Sequence, residues 1–314
     1  MAHRVVIVGG GAAGIQTALE LKSRGIEPII VERDIELGGK ARGWHKLFPL
    51  FTPAKDIIDP LIARLREERI RCFYGQEVTE IASDGVVLRS GERIPGDAVV
   101  VATGFTLFDA HRKQEYGYGL YDNVITSVDL ERMMNSGRVV LTDGSEPRRI
   151  AFLHCVGSRD EKVDQEHCSK VCCITGVKQA IEIKQMFPDA DVFNFYMDIR
   201  MYGPGYEELY RSAQQDYNIH FIRGRISEAA ETINKRIQIK AEDTLTGRPL
   251  RMTVDMLVLL VGMSANYENK NLAQSAGIPL APNGYFRVQD SFLGSVTCER
   301  EGIFFAGAAT APKS

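Results

Sequence analysis

Long apolar runs are missing from this chain: the longest, such as Met256 to Met263, fall far short of the roughly 20 residues that a membrane-crossing helix needs. Excess positive charge is missing too. A net charge of −3 and a pI near 6.1 leave no basic field to hold a phosphate backbone, so nucleic acid is not an expected partner. No internal repeat or low-complexity segment interrupts the sequence. Nor does a secretory hydrophobic region precede Val5-Val6-Ile7-Val8, which follows Met1-Ala2-His3-Arg4 directly, and the cytoplasm is the expected compartment. There thiols stay reduced, and clustered cysteines serve more often as metal ligands or redox groups than as structural disulfides.

At 314 residues, against about 150 per domain, the chain has room for two domains and two sizeable cores. Its 44% apolar and 25% charged content is that of an ordinary globular protein. The first strand runs into Gly9-Gly10-Gly11-Ala12-Ala13-Gly14. An apolar-periodic helix follows through Ile15, Ala18, Leu19 and Leu21, and then a second strand, Pro28-Ile29-Ile30-Val31, closes on Glu32. This βαβ context makes Gly9-x-Gly11-x-x-Gly14 a dinucleotide fingerprint. Its glycines give a tight turn, close backbone approach to a pyrophosphate and helix-to-strand packing, and the helix amino terminus faces the phosphate charge. Glu32, 18 residues after Gly14, is placed to accept hydrogen bonds from the adenosine ribose, and its charge disfavours a 2′-phosphate.

The fingerprint alone does not separate FAD from NAD, but three later stretches favour FAD. Leu37-Gly38-Gly39-Lys40 resembles the FAD-specific extension of flavin disulfide reductases and amine oxidases. Ala98-Val99-Val100-Val101-Ala102-Thr103-Gly104 resembles the segment by which the chain leaves the first part of such an FAD domain, and Gly302-Ile303-Phe304-Phe305-Ala306-Gly307-Ala308 the late strand that meets the ribityl chain. The expected FAD contacts are therefore Gly9, Gly11, Ala12, Ala13, Gly14, Glu32, Arg33, Gly39, Lys40, Val78, Thr103, Gly104, Gly307 and Ala308. Many relatives carry an acidic residue where Ala308 stands, so that contact is expected to be lost or replaced. A closing helix would also run under the flavin beyond Ser314. The expectation is a natural chain with a further tail, or else an incomplete FAD pocket.

The order of segments predicts an α/β protein with two dinucleotide-binding domains, of thioredoxin-reductase-like type, in which a second α/β unit interrupts the FAD domain. Residues 1–110 and 263–314 make the FAD domain, 111–144 an irregular connector and 145–262 the insert. Within the insert the pattern gives strands at Arg149 to Cys155, Asp191 to Met197, Asn218 to Ile222 and Met256 to Val261. Helices are expected from about Ser169 to Phe187 and Tyr206 to Gln215, with a β-meander from Ser227 to Thr253.

In a thioredoxin-reductase-type flavoprotein the strand Ile150-Ala151-Phe152-Leu153-His154 would open a second glycine fingerprint for NAD(P)H. Here it opens Cys155-Val156-Gly157-Ser158-Arg159-Asp160, so no phosphate cradle is expected. Cys155, Cys168, Cys172 and Cys173 follow, with gaps of 12, 3 and 0 residues. Four thiolates suit a [4Fe–4S] cluster, a tetrahedral zinc ion or disulfides. Zinc ribbons favour two well-separated Cys-x₂₋₄-Cys arms and this chain has one short arm; a vicinal disulfide at Cys172 and Cys173 is strained; four unrelated core thiols would have to gather by chance. The cluster fits best, although the spacing is not that of a ferredoxin. Cys72 and Cys298 read as lone buried thiols, and His45, His154 and His167 carry no motif.

The two cysteine stretches, together with Glu115-Tyr116-Gly117-Tyr118-Gly119, Asn123-Val124-Ile125-Thr126-Ser127, Met197-Asp198-Ile199-Arg200 and Gly205-Tyr206-Glu207-Glu208, resemble the A subunit of heterodisulfide reductases over nearly the whole chain. The resemblance implies an unusual [4Fe–4S] cluster on Cys155, Cys168, Cys172 and Cys173 beside FAD. It also implies a flavin-side role for Lys178, whose cation would stabilise reduced, anionic flavin; the alternative is a solvated helix lysine. Partner subunits of a heterodisulfide-reductase-like complex and a homodimer are expected. The methanogen A subunits carry an extra amino-terminal domain and Cys-x-x-Cys-x-x-Cys segments absent here, and Phe48-Pro49-Leu50-Phe51-Thr52-Pro53-Ala54-Lys55 replaces a cysteine-bearing stretch. The chain is therefore more similar to compact bacterial forms, and the expected function is FAD and cluster electron transfer, in sulfur oxidation. Other readings are a component of a quinone-interacting sulfate-reduction complex, a stand-alone NAD(P)H-dependent disulfide or quinone reductase, and a non-catalytic subunit that keeps nucleotide and zinc for folding.

Overall fold

The computed structural model describes residues 3–82 and 84–313; Met1, Ala2, Ser83 and Ser314, three of them the ends of the expected FAD domain, lie outside the described residues. Contacts divide the chain into two compact units: Met1–Gly43, Pro53–Thr106 and Ser264–Lys313 in the first, and Trp44–Thr52 with Leu107–Met263 in the second. No helix among the described residues is long and apolar enough to cross a membrane.

The first unit is built on five parallel strands in the order Ile303–Phe305, Ala98–Val101, Arg4–Val8, Glu27–Val31 and Arg71–Phe73. Parallel sheets are covered on both faces, which is why these strands are almost uninterrupted Val, Ile and Phe. Ile15, Ala18 and Leu19 of helix Ala12–Ser23 pack against Val5, Ile7 and Ile30 on one side. On the other side Val6, Val8, Ile29 and Val99 meet a small antiparallel sheet of Val78–Ala82, Gly85–Leu88 and Arg93–Pro95.

The second unit repeats the plan with the order Val124–Thr126, Met256–Val261, Arg149–Val156, Asp191–Tyr196 and His220–Arg223, all parallel. Helix Cys172–Met186 covers one face, and the antiparallel strands Ile226–Glu231, Ile237–Asp243 and Arg248–Val254 lie toward the other. The helix begins three residues later than the Ser169 start expected, because residues up to Val171 are held in a loop.

Two expectations about organisation need correcting. Residues 111–144 are not an irregular connector: Val124–Thr126 is the edge strand of the second sheet, and Ser127–Asn135 is a helix. Three β-branched residues are too short a run to signal a strand by themselves, yet they bond in register along Leu257 to Leu259. Thr126 then caps the helix in a closed box, its Oγ1 accepting from the Asp129 amide at 3.2 Å while Asp129 accepts from the Thr126 amide at 2.9 Å. Residues 44–52, assigned by sequence to the FAD domain, group with the second unit, where the His45 amide donates to Glu131 at 2.7 Å. Replacing the cap, Thr126→Ala, is expected to lower stability by about 1 kcal/mol, read by chemical denaturation, with Thr126→Ser nearly neutral.

Candidate functional site

The first unit gathers the predicted glycines at the carboxyl ends of its strands. A Cβ at Gly9 (φ 109°) would stand 2.5 Å from the Ala102 carbonyl oxygen, and one at Gly14 only 1.9 Å from that of Gly9. Larger residues cannot enter without opening the turn. Gly11 is the N-cap of helix Ala12–Ser23, and the nearest atom to where its Cβ would stand is Gly39 Cα, at 4.0 Å. Gly307 lies against Ala13, and Ala308 follows it, half-buried, in a single turn of 3₁₀ helix.

Glu32 is buried at the end of its strand, where its carboxylate accepts from the amides of Gly10 at 2.5 Å and Asp34 at 2.9 Å. It braces the glycine turn, and each oxygen keeps a second lone pair for a ribose hydroxyl. Arg33 pairs with Glu268 at 2.8 Å, and Lys40 lies 5.2 Å from the Phe105 ring centre, with burial lowering its pKa. Val78 departs from the expectation: its side chain is spent in the core of the first unit, which leaves only its main chain for a cofactor.

These residues fit FAD. Thr103 Oγ1 is buried with no hydrogen-bond partner, and Gly104 (φ 68°) faces open space, with nothing within 4 Å of where a Cβ would lie. A cavity of about 690 Å³ is lined by Arg33, Asp34, Glu36, Leu37, Gly39 and Arg42. An orphaned hydroxyl beside an open glycine is what a polar cofactor chain would satisfy.

The second unit places all four predicted cysteines around one turn. Against Met256–Val261 the strand Arg149–Val156 carries an extra residue between Leu153 and Val156, and Cys155 adopts φ 61° there. Such a bulge re-aims a side chain at the strand end. Positive φ recurs at Gly157, Arg159, Asp164 and Lys170, a density of sparsely populated conformations that marks a constrained loop.

That loop consumes its own amides. Ser158 donates to the Cys155 carbonyl, Arg159 to His167, Asp160 to Gln165 and Val171 to Ser169. Ser169 and Lys170 donate to Ser158 Oγ and Cys168 Sγ at 2.9 and 3.3 Å. Asp160 anchors the loop's far side, accepting from Lys113 Nζ at 2.8 Å and Arg225 at 2.7 Å. A phosphate needs free N–H groups converging on it, and the amides of Ser158, Arg159, Asp160, Ser169 and Lys170 are instead committed within the loop.

Cys155, Cys172 and Cys173 are buried and Cys168 is half-buried; all four are reduced. The Cys172 thiol donates to Cys155, which lowers the Cys155 pKa despite its burial, helped by the nearby charges of Arg159, Arg225 and Arg200. Cys172 is correspondingly pushed up by that bond, its burial and the other three sulfurs, and burial raises Cys173 to about 11. The Cys173 thiol donates to the Asp198 carbonyl at 3.6 Å. The set thus shares one electrostatic environment, in which negative charge on one sulfur opposes it on the next.

Among the described residues no three His, Cys, Asp or Glu side chains converge as a cage for a single ion. A cubane binds each thiolate at a different iron, so its ligands stand farther apart than those of one ion. The donor chemistry, four thiols facing three guanidiniums, suits such an anionic group.

Lys178 is neither solvated nor alone. Its side chain is 1% exposed, with Nζ 2.6 Å from Glu131 and 2.8 Å from Glu182; Gln179 also donates to Glu131 at 2.7 Å, and His45 Nδ1 lies 2.9 Å from Glu182. Glu131 and Glu182 escaped the sequence reading and His45 was given no role there, although Lys178 and Glu182 stand at i, i+4 on one helix, which was signal enough for that pair. His154, buried on its strand, is lowered to about 4 by burial and holds Asn194 at 2.8 Å. Cys298 is buried as expected, whereas Cys72 is half-buried.

Residues 3–314 match the family described as pyridine nucleotide-disulphide oxidoreductase. The chain belongs to that family. It is 38% identical to the A subunit of the H(2)/formate:CoB-CoM heterodisulfide,ferredoxin reductase of Methanococcus maripaludis and 32% identical to the iron-sulfur A subunit of the CoB–CoM heterodisulfide reductase of Methanocaldococcus jannaschii, each time over 98% of this chain and 61% of the relative. It therefore spans about three fifths of the length of these curated relatives. Among solved structures, the thioredoxin reductases of Lactococcus lactis and T. acidophilum superpose with TM-scores of 0.70 and 0.67, at 17% and 19% identity, over 99% and 98% of this chain and 92% and 90% of theirs. This oxidoreductase family fold accounts for the two parallel sheets, while the cysteine loop is what sets the second one apart.

Because a methyl at Gly14 would overlap the Gly9 carbonyl, Gly14→Ala is expected to purify without bound flavin, with an absorbance ratio at 450 to 280 nm at least about tenfold below that of the unaltered chain.

Proposed function

We propose that this chain is the FAD and [4Fe–4S] electron-transfer subunit of a heterodisulfide-reductase-like complex in the cytoplasm, working in sulfur oxidation. The observation that carries this reading is the loop after Arg149–Val156, which commits the amides of Ser158, Arg159, Asp160, Ser169 and Lys170 internally and brings four thiols into one environment where the fold would otherwise cradle a nicotinamide phosphate. The names of the relatives, an iron-sulfur A subunit among them, support it. A homodimer and further subunits are expected partners.

FAD would be held by the Gly9–Gly14 turn, Glu32, Gly39, Lys40, Thr103, Gly104, Gly307 and the main chain of Val78; the cluster would be held by Cys155, Cys168, Cys172 and Cys173. When bound, the flavin exchanges electrons in pairs and the cluster singly, which lets the two couple different donors and acceptors. The chain's own residues do the rest. Asp160, Lys113 and Arg225 fix the loop, and Arg159 and Arg200 offset thiolate charge. Lys178 would tune the flavin, its cation moderated by two carboxylates.

Anaerobic purification followed by iron, acid-labile sulfide and zinc analysis and EPR tests the cluster. About four irons and four sulfides per chain are expected, falling to near zero in Cys155→Ser. Zinc without sulfide would overturn the reading, and prompt bleaching of the flavin by NADH would favour a stand-alone reductase. For Lys178, Lys178→Met removes a cation and is expected to lower the flavin midpoint potential. The paired variant Lys178→Met/Glu131→Gln keeps the local net charge and returns the potential toward that of the parent. An unmoved potential in both, with flavin retained, removes the tuning role.

A further inference from the structure

We infer that the rim around Cys168, within the second unit, is the docking surface for an acidic electron-carrier protein; the inference rests on the electron-transfer reading above. The rim forms at the carboxyl ends of three adjacent parallel strands. Arg159 follows Arg149–Val156, Asp198 and Arg200 follow Asp191–Tyr196, and Arg223 ends His220–Arg223. Three guanidiniums there share one carboxylate: Asp198 lies 2.8 Å from Arg159, 3.7 Å from Arg223 and 4.0 Å from Arg200.

A balanced ion-pair network would be the ordinary explanation of clustered arginines, but here cations outnumber the carboxylate on a chain whose net charge is −3. Part of the excess answers the thiolates. Arg200 and Arg223 nevertheless keep 44% and 47% of their side chains open to solvent, and Lys170 beside Cys168 is exposed. Tyr202, within electrostatic reach of Cys168 and Cys173, is 67% exposed. Arginine and tyrosine are the residues that interfaces favour over the rest of a surface, since both give large contact area and directed hydrogen bonds.

The same rim is where electrons would reach the surface. Cys168 is half-buried while the other three cysteines are buried, so it is the ligand through which an incoming centre approaches. A carrier with carboxylates around its own redox centre matches the guanidiniums in charge and in bidentate geometry, and long-range attraction would speed encounter. A small phosphate-bearing anion and a second copy of this chain are the competing occupants.

The test uses the full chain, purified anaerobically, and a small acidic plant-type [2Fe–2S] ferredoxin as probe, with affinity measured by titration and electron exchange by stopped flow. The expected result is an exchange rate and affinity that fall at least about tenfold between about 20 and 300 mM salt, and by as much in Arg200→Glu/Arg223→Glu, with iron content unchanged. The charge-matched control Lys22→Glu/Lys270→Glu should behave as the parent. Binding insensitive to salt and to the rim variant, equal losses in rim and control variants, equal competition by inorganic pyrophosphate at comparable concentration, or a rim variant that alters only self-association would each overturn the docking inference. A parent chain that holds no iron would instead bring down the electron-transfer reading, and the affinity arm, which needs no cluster, still judges the surface.

Discussion

The second unit depends on one irregularity, the extra residue that puts Cys155 at φ 61° at the end of its central strand. In a regular parallel strand the side chains alternate between faces, and the residue here would point into one of the two packed layers. The bulge turns Cys155 toward Cys172 at the start of the following helix, so strand and helix are joined through sulfur rather than through glycine. Everything in the loop then follows from closing the gap. Gly157, whose Cβ would fall 1.9 Å from the Phe108 ring, lets the chain pass, and Ser158 and Ser169 bond to each other and to the backbone of Met263.

The two units show how one sheet plan supports opposite electrostatic purposes. In the first, glycine keeps the strand-to-helix turn open, the Thr103 hydroxyl is buried without a hydrogen-bond partner, and Glu32 braces the turn from behind. In the second, the corresponding turn is filled by side chains whose own hydrogen bonds close it, and arginines rather than helix amides supply the positive charge. Arginine holds its charge when partly buried, whereas a backbone dipole contributes only a fraction of one, so the second arrangement suits a permanently anionic group.

Much of this was legible in sequence for a simple reason. Val5 to Val8, Ile150 to His154 and Met256 to Val261 are buried on both faces, and glycine fingerprints and cysteine spacings are local patterns. What was not legible depends on contacts distant along the chain. Val124–Thr126 is too short to announce itself and becomes a strand only because Leu257 to Leu259 offer it an edge. Lys178 was read as a flavin-side cation or a solvated helix lysine, and its ion pair at 2.6 Å with Glu131, 47 positions earlier, was not legible in the sequence. Val78, expected as an FAD contact, has its side chain in the core of the first unit, since periodicity does not say which layer a single strand's face will meet. The arginines around Cys168 belong to three separate strand ends, and no motif connects them.

Iron K-edge X-ray absorption on the anaerobically purified chain probes the central assignment most directly, because it reads the atoms around the metal rather than their consequences. The account predicts iron surrounded by sulfur alone, with a short iron–iron scattering path, and loss of both in Cys155→Ser. Nitrogen or oxygen in the iron shell, or a chain that carries zinc and no iron, would contradict it.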